Sequence, residues 1–496
     1  MIIDDRRNFC FAVWEITTRC NLACAHCGSR AGASGRDELT TQEALGVVGQ
    51  LREVGIRQVT LLGGEAFLRK DWSVIARAIR DAGMRCTMTT GAWGLTPRMA
   101  RNIRESGIDH VAISIDGLDE THDQLRGRRS SWHQCITAVS HLRNEGIRVG
   151  CVTQINRLSA PELPALYDHL AQAGISSWQT QLTAPMGRAA DNAEFLFQPS
   201  EILELFPVLA RIARRAWSDG IRFIASSNIG YYGPYERMLR SNGHPWGFWR
   251  GPAEGLRMIG IEADGAVKAD LTLPSIPYAG GNVRERRLVD IVRDADELTF
   301  NLHAGTPDDK SALWGFCKTC AFARLCRGGD TFTAHVFFGR RGNHPYCYHR
   351  AQVNARRGKR ERLVLVQAAS GKPYDYGRFA IVEEAADAPW DDDPLHFTGD
   401  CVVWPESWPE DEDAGLLSWS EAHEPEWALA IAFDRTDATV LPRPAYDDEL
   451  VFLRDVLEAK TLLDRAESSH AEPRLARGIA KPIGIRSQEI EVVTCR

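Results

Sequence analysis

The sequence predicts an α/β fold: a curved, partial (β/α)6 barrel, then a small cysteine-rich domain, then an α+β extension. Three observations lead there. A short apolar strand followed by an amphipathic helix recurs six times between about residues 8 and 220. Seven of the 13 cysteines fall into two tight groups, one after the first strand and one beyond residue 316. Past residue 378 the sequence turns acidic and tryptophan-rich, with no repeat of the earlier pattern.

The strand runs are Phe11–Thr17, Gln58–Gly63, Arg85–Thr90, His110–Asp116, Arg148–Asn156 and Ser176–Leu182. Helices between them carry apolar stripes such as Leu45, Val48 and Leu51, or Ile136, Val139 and Leu142, each expected to pack on a sheet. Gly55, Gly83, Gly107, Gly146 and Gly174 stand where each helix should stop. Consecutive β/α units imply a parallel sheet with right-handed crossovers. Six are too few to close an eight-stranded barrel, so a partial, TIM-like one is expected, its mouth at the C-terminal strand ends.

At the first of those ends stands Cys20-x3-Cys24-x2-Cys27. Closely spaced thiolates suit iron–sulfur iron, and three ligands leave one iron of a cubane open. The other reading is a zinc site completed by His26. Further strand ends carry Gly63-Gly64-Glu65, Thr89-Thr90-Gly91, Ser114-Ile115-Asp116-Gly117 and Gly187-Arg188. The glycine pair admits a close backbone approach, and Glu65 with nearby carbonyls would suit an amino group. Strand alternation puts Ser114 and Asp116 on one face, as ribose-binding groups would be. Cys86 and Cys151 lie in strand runs and read as small core residues.

The cysteine motif, the Gly-Gly-Glu at 63–65 and the Ser-Ile-Asp-Gly at 114–117, in this order on six β/α units, resemble the radical S-adenosylmethionine (SAM) enzymes. The resemblance covers about residues 8–220. It implies a [4Fe–4S] cluster on Cys20, Cys24 and Cys27, with SAM chelating the open iron. An electron from the cluster would cleave SAM to methionine and a 5′-deoxyadenosyl radical, which abstracts a hydrogen atom from substrate. Gly63, Gly64 and Glu65 would hold the SAM amino end. Ser114 and Asp116 would lie near its ribose or carboxylate, and Arg126 and Arg188 are candidates for the carboxylate. The family usually has an aromatic residue before the third cysteine. Here it is His26, which is expected to cover the cluster.

In the second half, residues 219–248 read as a bridge and Met258–Ala269 as a hairpin turning at Ala263-Asp264-Gly265. Then come Cys317-x2-Cys320-x5-Cys326 and Cys347, a four-thiol site for a cluster or for zinc. The order of hairpin and cysteines resembles the SPASM extension of radical SAM enzymes, which in full form carries two auxiliary clusters. Two of its cysteine positions hold Asp270 and Asp330 here, and no cysteine lies between Cys151 and Cys317. Carboxylates replace thiolates poorly. One auxiliary [4Fe–4S] cluster is therefore expected, on Cys317, Cys320, Cys326 and Cys347, in a domain spanning 221–350. With four protein ligands, it is expected to relay an electron or to act structurally.

The basic run Arg356-Arg357-Gly358-Lys359-Arg360 reads as a linker to an extension over 361–496. Strands are expected at Leu363–Gln367 and Phe379–Val382, and a helix at Glu449–Ala466. From Phe379 to Asp434 there are sixteen acidic residues and no Lys or Arg, with Trp390, Trp404, Trp408, Trp419 and Trp427 among them. This span is either a solvated acidic segment or a docking surface for a basic, aromatic-rich partner. The start MIIDDRRNF is too polar for a signal peptide, and no run is long and apolar enough to span a membrane, so a cytoplasmic protein is expected. The net charge of −7 argues against a general nucleic-acid binder.

The resemblance to SPASM proteins implies an oxidoreductase that modifies a peptide or protein by crosslinking, epimerisation or oxidation, as in the maturation of peptide natural products. It also implies an electron donor such as flavodoxin or ferredoxin. Any leader-binding element is expected in the tail or on a separate protein. Two alternatives remain: a radical SAM dehydrogenase of a small molecule such as a sugar or amino alcohol, and a non-catalytic iron–sulfur scaffold. No catalytic acid or base is identified.

Overall fold

The computed structural model describes residues 9–389, apart from 33–36, 234, 241–248, 250, 253 and 302–310. The expected helix at 449–466 and the tryptophan-rich acidic span beyond Pro389 lie outside the described residues.

Six parallel strands follow the expected order: β1 (Phe11–Glu15), β2 (Gln58–Leu62), β3 (Arg85–Thr90), β4 (His110–Ser114), β5 (Arg148–Ile155) and β6 (Ser177–Leu182). The helices packed against them are α1 (Thr41–Val54), α2 (Trp72–Asp81), α3 (Pro97–Glu105), α4 (Asp119–Arg126), α5 (Ser131–Asn144), α6 (Leu163–Ala173) and α7 (Ile202–Ser218). The helix α1 begins on a capping box, with Thr40 accepting from Glu43 N and Glu43 reaching back to Thr40 N. It ends on Gly55, at φ 96°, a conformation a side chain would disfavour.

The buried face of α1 is turned from the expected stripe. Ala44, Val47, Val48 and Leu51 are buried, while Leu45 is 39% exposed. The i, i+3, i+4, i+7 set wins because it forms one continuous face on the sheet. In α5 the core face is Cys135, Ala138, Val139 and Leu142, with Ile136 at its margin. Cys86 and Cys151 are buried core residues, as expected.

The sheet does not stop at residue 220. The stretch read as a bridge contains β7 (Arg222–Ala225), which pairs in parallel with β6. At the other edge β8 (Met258–Ile261) pairs in parallel with β1 and antiparallel with β9 (Ala266–Lys268), and β10 (Ala279–Asn282) closes the edge. The strands thus run β10-β9-β8-β1-β2-β3-β4-β5-β6-β7 in one sheet. Along β5 and β6, Val149, Cys151, Ile155, Trp178 and Leu182 pack into the main core. Gln154, Gln179 and Gln181 alternate with them and are only partly buried, so they belong to the opposite face.

Two expected strands of the extension form an antiparallel hairpin, β11 (Lys359–Gln367) and β12 (Arg378–Ala385). The basic run is not a linker. The helix Tyr348–Arg356 ends inside it, and Lys359 and Arg360 already belong to β11, paired with Glu383 and Glu384 across the hairpin. Cross-strand partners of opposite charge hold these residues in the sheet.

A buried ion pair ties the hairpin to the helix before it. Arg350, 2% exposed, makes a two-pronged contact with Glu361 at 2.6 and 2.7 Å and also donates to the Asn343 side chain and the His344 carbonyl. Removing one partner strands the other charge in a buried site. Glu361→Ala is expected to lower stability by about 3–5 kcal/mol in chemical denaturation, whereas replacing either partner of the exposed Lys359–Glu383 pair should cost under about 1 kcal/mol.

Candidate active site and cluster-binding residues

The loop from Ile16 to Gly32 has almost no regular structure, so its backbone groups are satisfied from outside. It first closes on itself: Cys20 N donates to Gly32 O and Gly32 N to Thr18 O. The end of β2 then locks onto it, with Gly64 N donating to Thr17 O (2.8 Å) and Glu65 N to Arg19 O (2.7 Å). The expected reason for Gly63-Gly64 therefore takes a specific form. A Cβ on Gly63 would strike the Thr17 carbonyl. One on Gly64 would strike the Arg19 carbonyl and lie 2.8 Å from Cys20 Cβ. What approaches these glycines in the structure is the cysteine loop itself.

The Glu65 carboxylate is 1% exposed and takes hydrogen bonds from Thr90 Oγ1 (2.8 and 2.9 Å) and Gly91 N (2.9 Å). Burial pushes its pKa up to about 7, with the Thr90 and Gly91 bonds opposing. It joins the ends of β2 and β3 beneath the loop.

Ser114 ends β4 and is partly exposed. Because the strand stops there, alternation does not carry on to Asp116, which is fully buried. Asp116 Oδ2 lies 2.6 Å from Arg126 Nη2 and 3.0 Å from His26 Nε2, while Oδ1 accepts from Gln154 N at 2.9 Å. Burial raises the Asp116 pKa, but Arg126 and then His26 more than offset it and hold the group ionised. The other arm of Arg126 points at Cys24, with Nη1 3.7 Å from Sγ. His26 is itself buried, turned toward Asp116.

Arg188 is engaged by the cysteine loop. Its Nε donates to Cys24 O at 2.6 Å, its Nη1 to Ala31 O at 3.3 Å, and its backbone N to Cys27 O at 3.0 Å. Gly187, at φ 59°, sits so close that a Cβ would run into the Cys27 and Gly28 carbonyls. Asn192, Arg30, Tyr374 and Asp375 complete the bracing and were not foreseen. Asn192 Nδ2 donates to Ala25 O, and Tyr374 N to Gly28 O. Isolated polar residues at those sequence distances carry no motif. The only sequence signal was the turn-like Lys372-Pro373-Tyr374-Asp375-Tyr376-Gly377 between two strand runs.

In the second half, Cys317, Cys320, Cys326 and Cys347 line one cavity with the aromatic rings of Tyr232, Phe316 and Phe322. Tyr232 and Phe322 stack at 4.3 Å, and Trp249 Nε1 donates to Cys326 O. Burial pushes the Cys317 thiol up to about 11 and those of Cys326 and Cys347 well above their usual range. Buried thiols beside each other resist ionisation unless a positive centre shares the cavity. All seven motif cysteines are free thiols. Among the described residues no three Cys, His, Asp or Glu side chains converge as ligands of one metal ion do.

Asp330 and Asp270 are bound up in protein contacts. Asp330 caps the helix Thr331–Phe338, accepting from Phe332 N and Thr333 N, and meets His344 Nε2 at 3.1 Å. Asp270 accepts from Thr272 N and Oγ1. Glu254 is buried near both. Its pKa is pushed up to about 8, first by burial, then by Asp330 and Asp270.

The family model described as the Radical SAM superfamily matches residues 14–156. The Fe-coproporphyrin III synthase of Methanosarcina barkeri (strain Fusaro / DSM 804) is 28% identical over 349 residues, 68% of this chain and 87% of that protein. The PqqA peptide cyclase of Rhizobium meliloti (strain 1021) is 24% identical over 327 residues, 66% of this chain and 83% of that one. In fold, the native anSMEcpe structure with bound AdoMet and the Cp18Cys peptide aligns with a TM-score of 0.54 at 14% identity, over 69% of this chain and 94% of its own.

Two outcomes follow from the geometry. Gly64→Ala is expected to cut the iron bound after anaerobic reconstitution by about half, because the loop must move off β2. For Glu254 the folded pKa lies above the unfolded value. Its contribution to stability is full at low pH and lost as pH rises toward 8. The melting temperature of Glu254→Gln should therefore gain on that of the unsubstituted chain between pH 6 and pH 9. A constant gap across that range would contradict the assignment.

Residues 14–156 carry the radical SAM match, and the chain is a radical SAM enzyme related to peptide maturases and to AdoMet-dependent heme synthases.

Proposed function

We propose that this enzyme is an oxidoreductase that modifies a peptide or protein after translation, with Cys20, Cys24 and Cys27 holding the catalytic [4Fe–4S] cluster. The observation that carries the cluster assignment is the braced loop. Its carbonyls are held by Arg188, Asn192 and Tyr374, and its three thiols are free. The Cys-x3-Cys-x2-Cys spacing, with His26 turned to Asp116 and away from the thiols' metal, favours a cluster over zinc at the first set. When bound, the reduced cluster supplies the electron that cleaves SAM.

This chain's own residues do the holding. Gly63 and Gly64 let β2 meet the loop, Glu65 fixes β3 below it, and Arg126 directs positive charge at Cys24. Ser114 is the partly exposed hydroxyl at the mouth and remains the candidate ribose contact. Gly63, Gly64 and Glu65 would border the SAM amino end through their backbone, since the Glu65 carboxylate already has partners. Asp116 and Arg188 act on the loop, and on SAM through it. Arg126 is kept as a candidate for the SAM carboxylate on the resemblance alone, since its Nη2 and Nη1 already face Asp116 and Cys24.

The domain limits 8–220 and 221–350 would serve as functional units that share one continuous sheet, and 361–496 as a third that begins with its own hairpin. One auxiliary [4Fe–4S] cluster on Cys317, Cys320, Cys326 and Cys347 fits the lined cavity. The capped carboxylates of Asp270 and Asp330 support the loss of the other. Reconstituted protein should hold about eight iron atoms per chain, and about twelve would contradict this.

A peptide substrate is favoured by the amide side chains of Gln154, Gln179 and Gln181 on the sheet face away from the helices, which match peptide N–H and C=O groups. The peptide bound in the anSMEcpe structure and the peptide substrate named for the Rhizobium relative point the same way. A flavodoxin or ferredoxin would supply the electron, and the tail or a separate protein would present any leader. The second reading is a tetrapyrrole or other small molecule, favoured by the identity to the Methanosarcina synthase. Mass spectrometry of a candidate peptide co-expressed with this protein decides. A mass change absent when Cys20, Cys24 and Cys27 are all replaced by Ala supports the peptide reading. An unchanged peptide, with turnover of an added iron coproporphyrin, overturns it.

A further inference from the structure

The turn of the β11–β12 hairpin docks on the cysteine loop. Tyr374 N donates to Gly28 O at 3.2 Å, and Gly187 N donates to Asp375 O at 2.7 Å. Arg30 Nε donates to Asp375 Oδ1 at 2.9 Å and to Lys372 O at 3.1 Å, while its Nη2 reaches Gly187 O at 2.9 Å. Gly187 is thus gripped between the turn on one side and the Cys27–Gly28 backbone on the other. The Tyr374 hydroxyl runs deeper and donates to Glu15 Oε1, at the end of β1, at 2.6 Å. Ala184, Met186, Val336 and Tyr374 form a small buried cluster apart from the main core.

The hairpin begins three residues after the helix capped by Cys347, and Arg350 of that helix grips Glu361 of β11. A short, packed length of chain therefore runs from a cysteine of the second set to the last cysteine of the first. This hairpin lies well beyond the segment that the family model matches.

We propose that Asp375, with Arg30, is a positioning pair for the catalytic cluster: the hairpin turn clamps the Cys27 side of the loop and keeps the cluster from being extracted. The inference rests on the assignment of that cluster to Cys20, Cys24 and Cys27. A loop without secondary structure keeps its shape only through such outside donors and acceptors, and the charged Arg30–Asp375 contact is the strongest the turn supplies.

The test uses the full-length, anaerobically reconstituted and reduced protein. Only a cluster with an open iron changes its electron paramagnetic resonance spectrum when SAM is added, which separates it from the four-cysteine cluster. Decay of the SAM-responsive signal is followed in ethylenediaminetetraacetate for the unsubstituted chain, Asp375→Ala, Arg30→Ala and Val366→Ala, the last at an exposed hairpin position. Asp375 also ties its own turn, accepting from Ser370 Oγ and Lys372 N, and Arg30 also donates to both oxygens of Asp191, so only a loss shared by Asp375→Ala and Arg30→Ala is assigned to the pair. Asp375→Ala and Arg30→Ala are expected to lose the SAM-responsive signal about tenfold faster, with the SAM-insensitive signal decaying as before. Decay equal to that of Val366→Ala in both overturns the inference alone. No SAM-responsive signal in the unsubstituted chain overturns the cluster assignment and this inference with it.

Discussion

Everything at the mouth of this barrel depends on one constraint. A seventeen-residue loop with almost no helix or strand must hold three cysteines in fixed relation, and its backbone groups need partners from elsewhere. The fold supplies them from four directions. The end of β2 binds Thr17 and Arg19, the Leu125 carbonyl takes Ala25 N, the segment 187–192 holds Cys24, Ala25, Cys27 and Ala31, and the hairpin turn takes Gly28. Glycine at 63, 64 and 187 follows from the same constraint, because backbone meets backbone there with no room for a side chain.

Electrostatics beneath the loop follow a second rule: a buried charge is kept only with a partner. Asp116 has Arg126 and His26, and Arg126 turns its free arm to Cys24. Glu65 has neutral donors alone, so burial wins and its proton is held more tightly. In the second half the same rule separates the cysteines from the acids. Cys317, Cys326 and Cys347, all buried, and the partly buried Cys320 share one cavity with aromatic rings, a setting that suits the proposed cluster. Asp270 and Asp330 have found N–H donors in a turn and a helix cap and ask for none.

Much of this was legible in the sequence. The six strands fall within two residues of their expected ends, since alternating apolar runs and glycine stops leave little freedom. The cysteine spacing and Gly63-Gly64 are legible because their chemistry is local. Side-chain partners were not. Asp116 and Arg188 read as contacts of a small molecule, and the structure turns them to the protein's own loop. Nothing in one chain's sequence says that β4 stops at Ser114, or that Arg188 finds Cys24 O from 164 residues away. Leu45 was misassigned because a helix of small residues offers two nearly equivalent apolar stripes, and only tertiary packing chooses. The hairpin was foreseen as two strands, whereas its docking on Gly28 is a long-range contact that leaves no periodic trace.

The central claim is that the loop after β1 carries the open iron, and that SAM reacts there. Its most direct measurement is 5′-deoxyadenosine formed from SAM by the anaerobically reduced protein, compared with a variant in which Cys20, Cys24 and Cys27 are all alanine. The account predicts 5′-deoxyadenosine from the unsubstituted chain and none from the variant. Equal amounts from both, or none from a fully reconstituted unsubstituted chain, would contradict it.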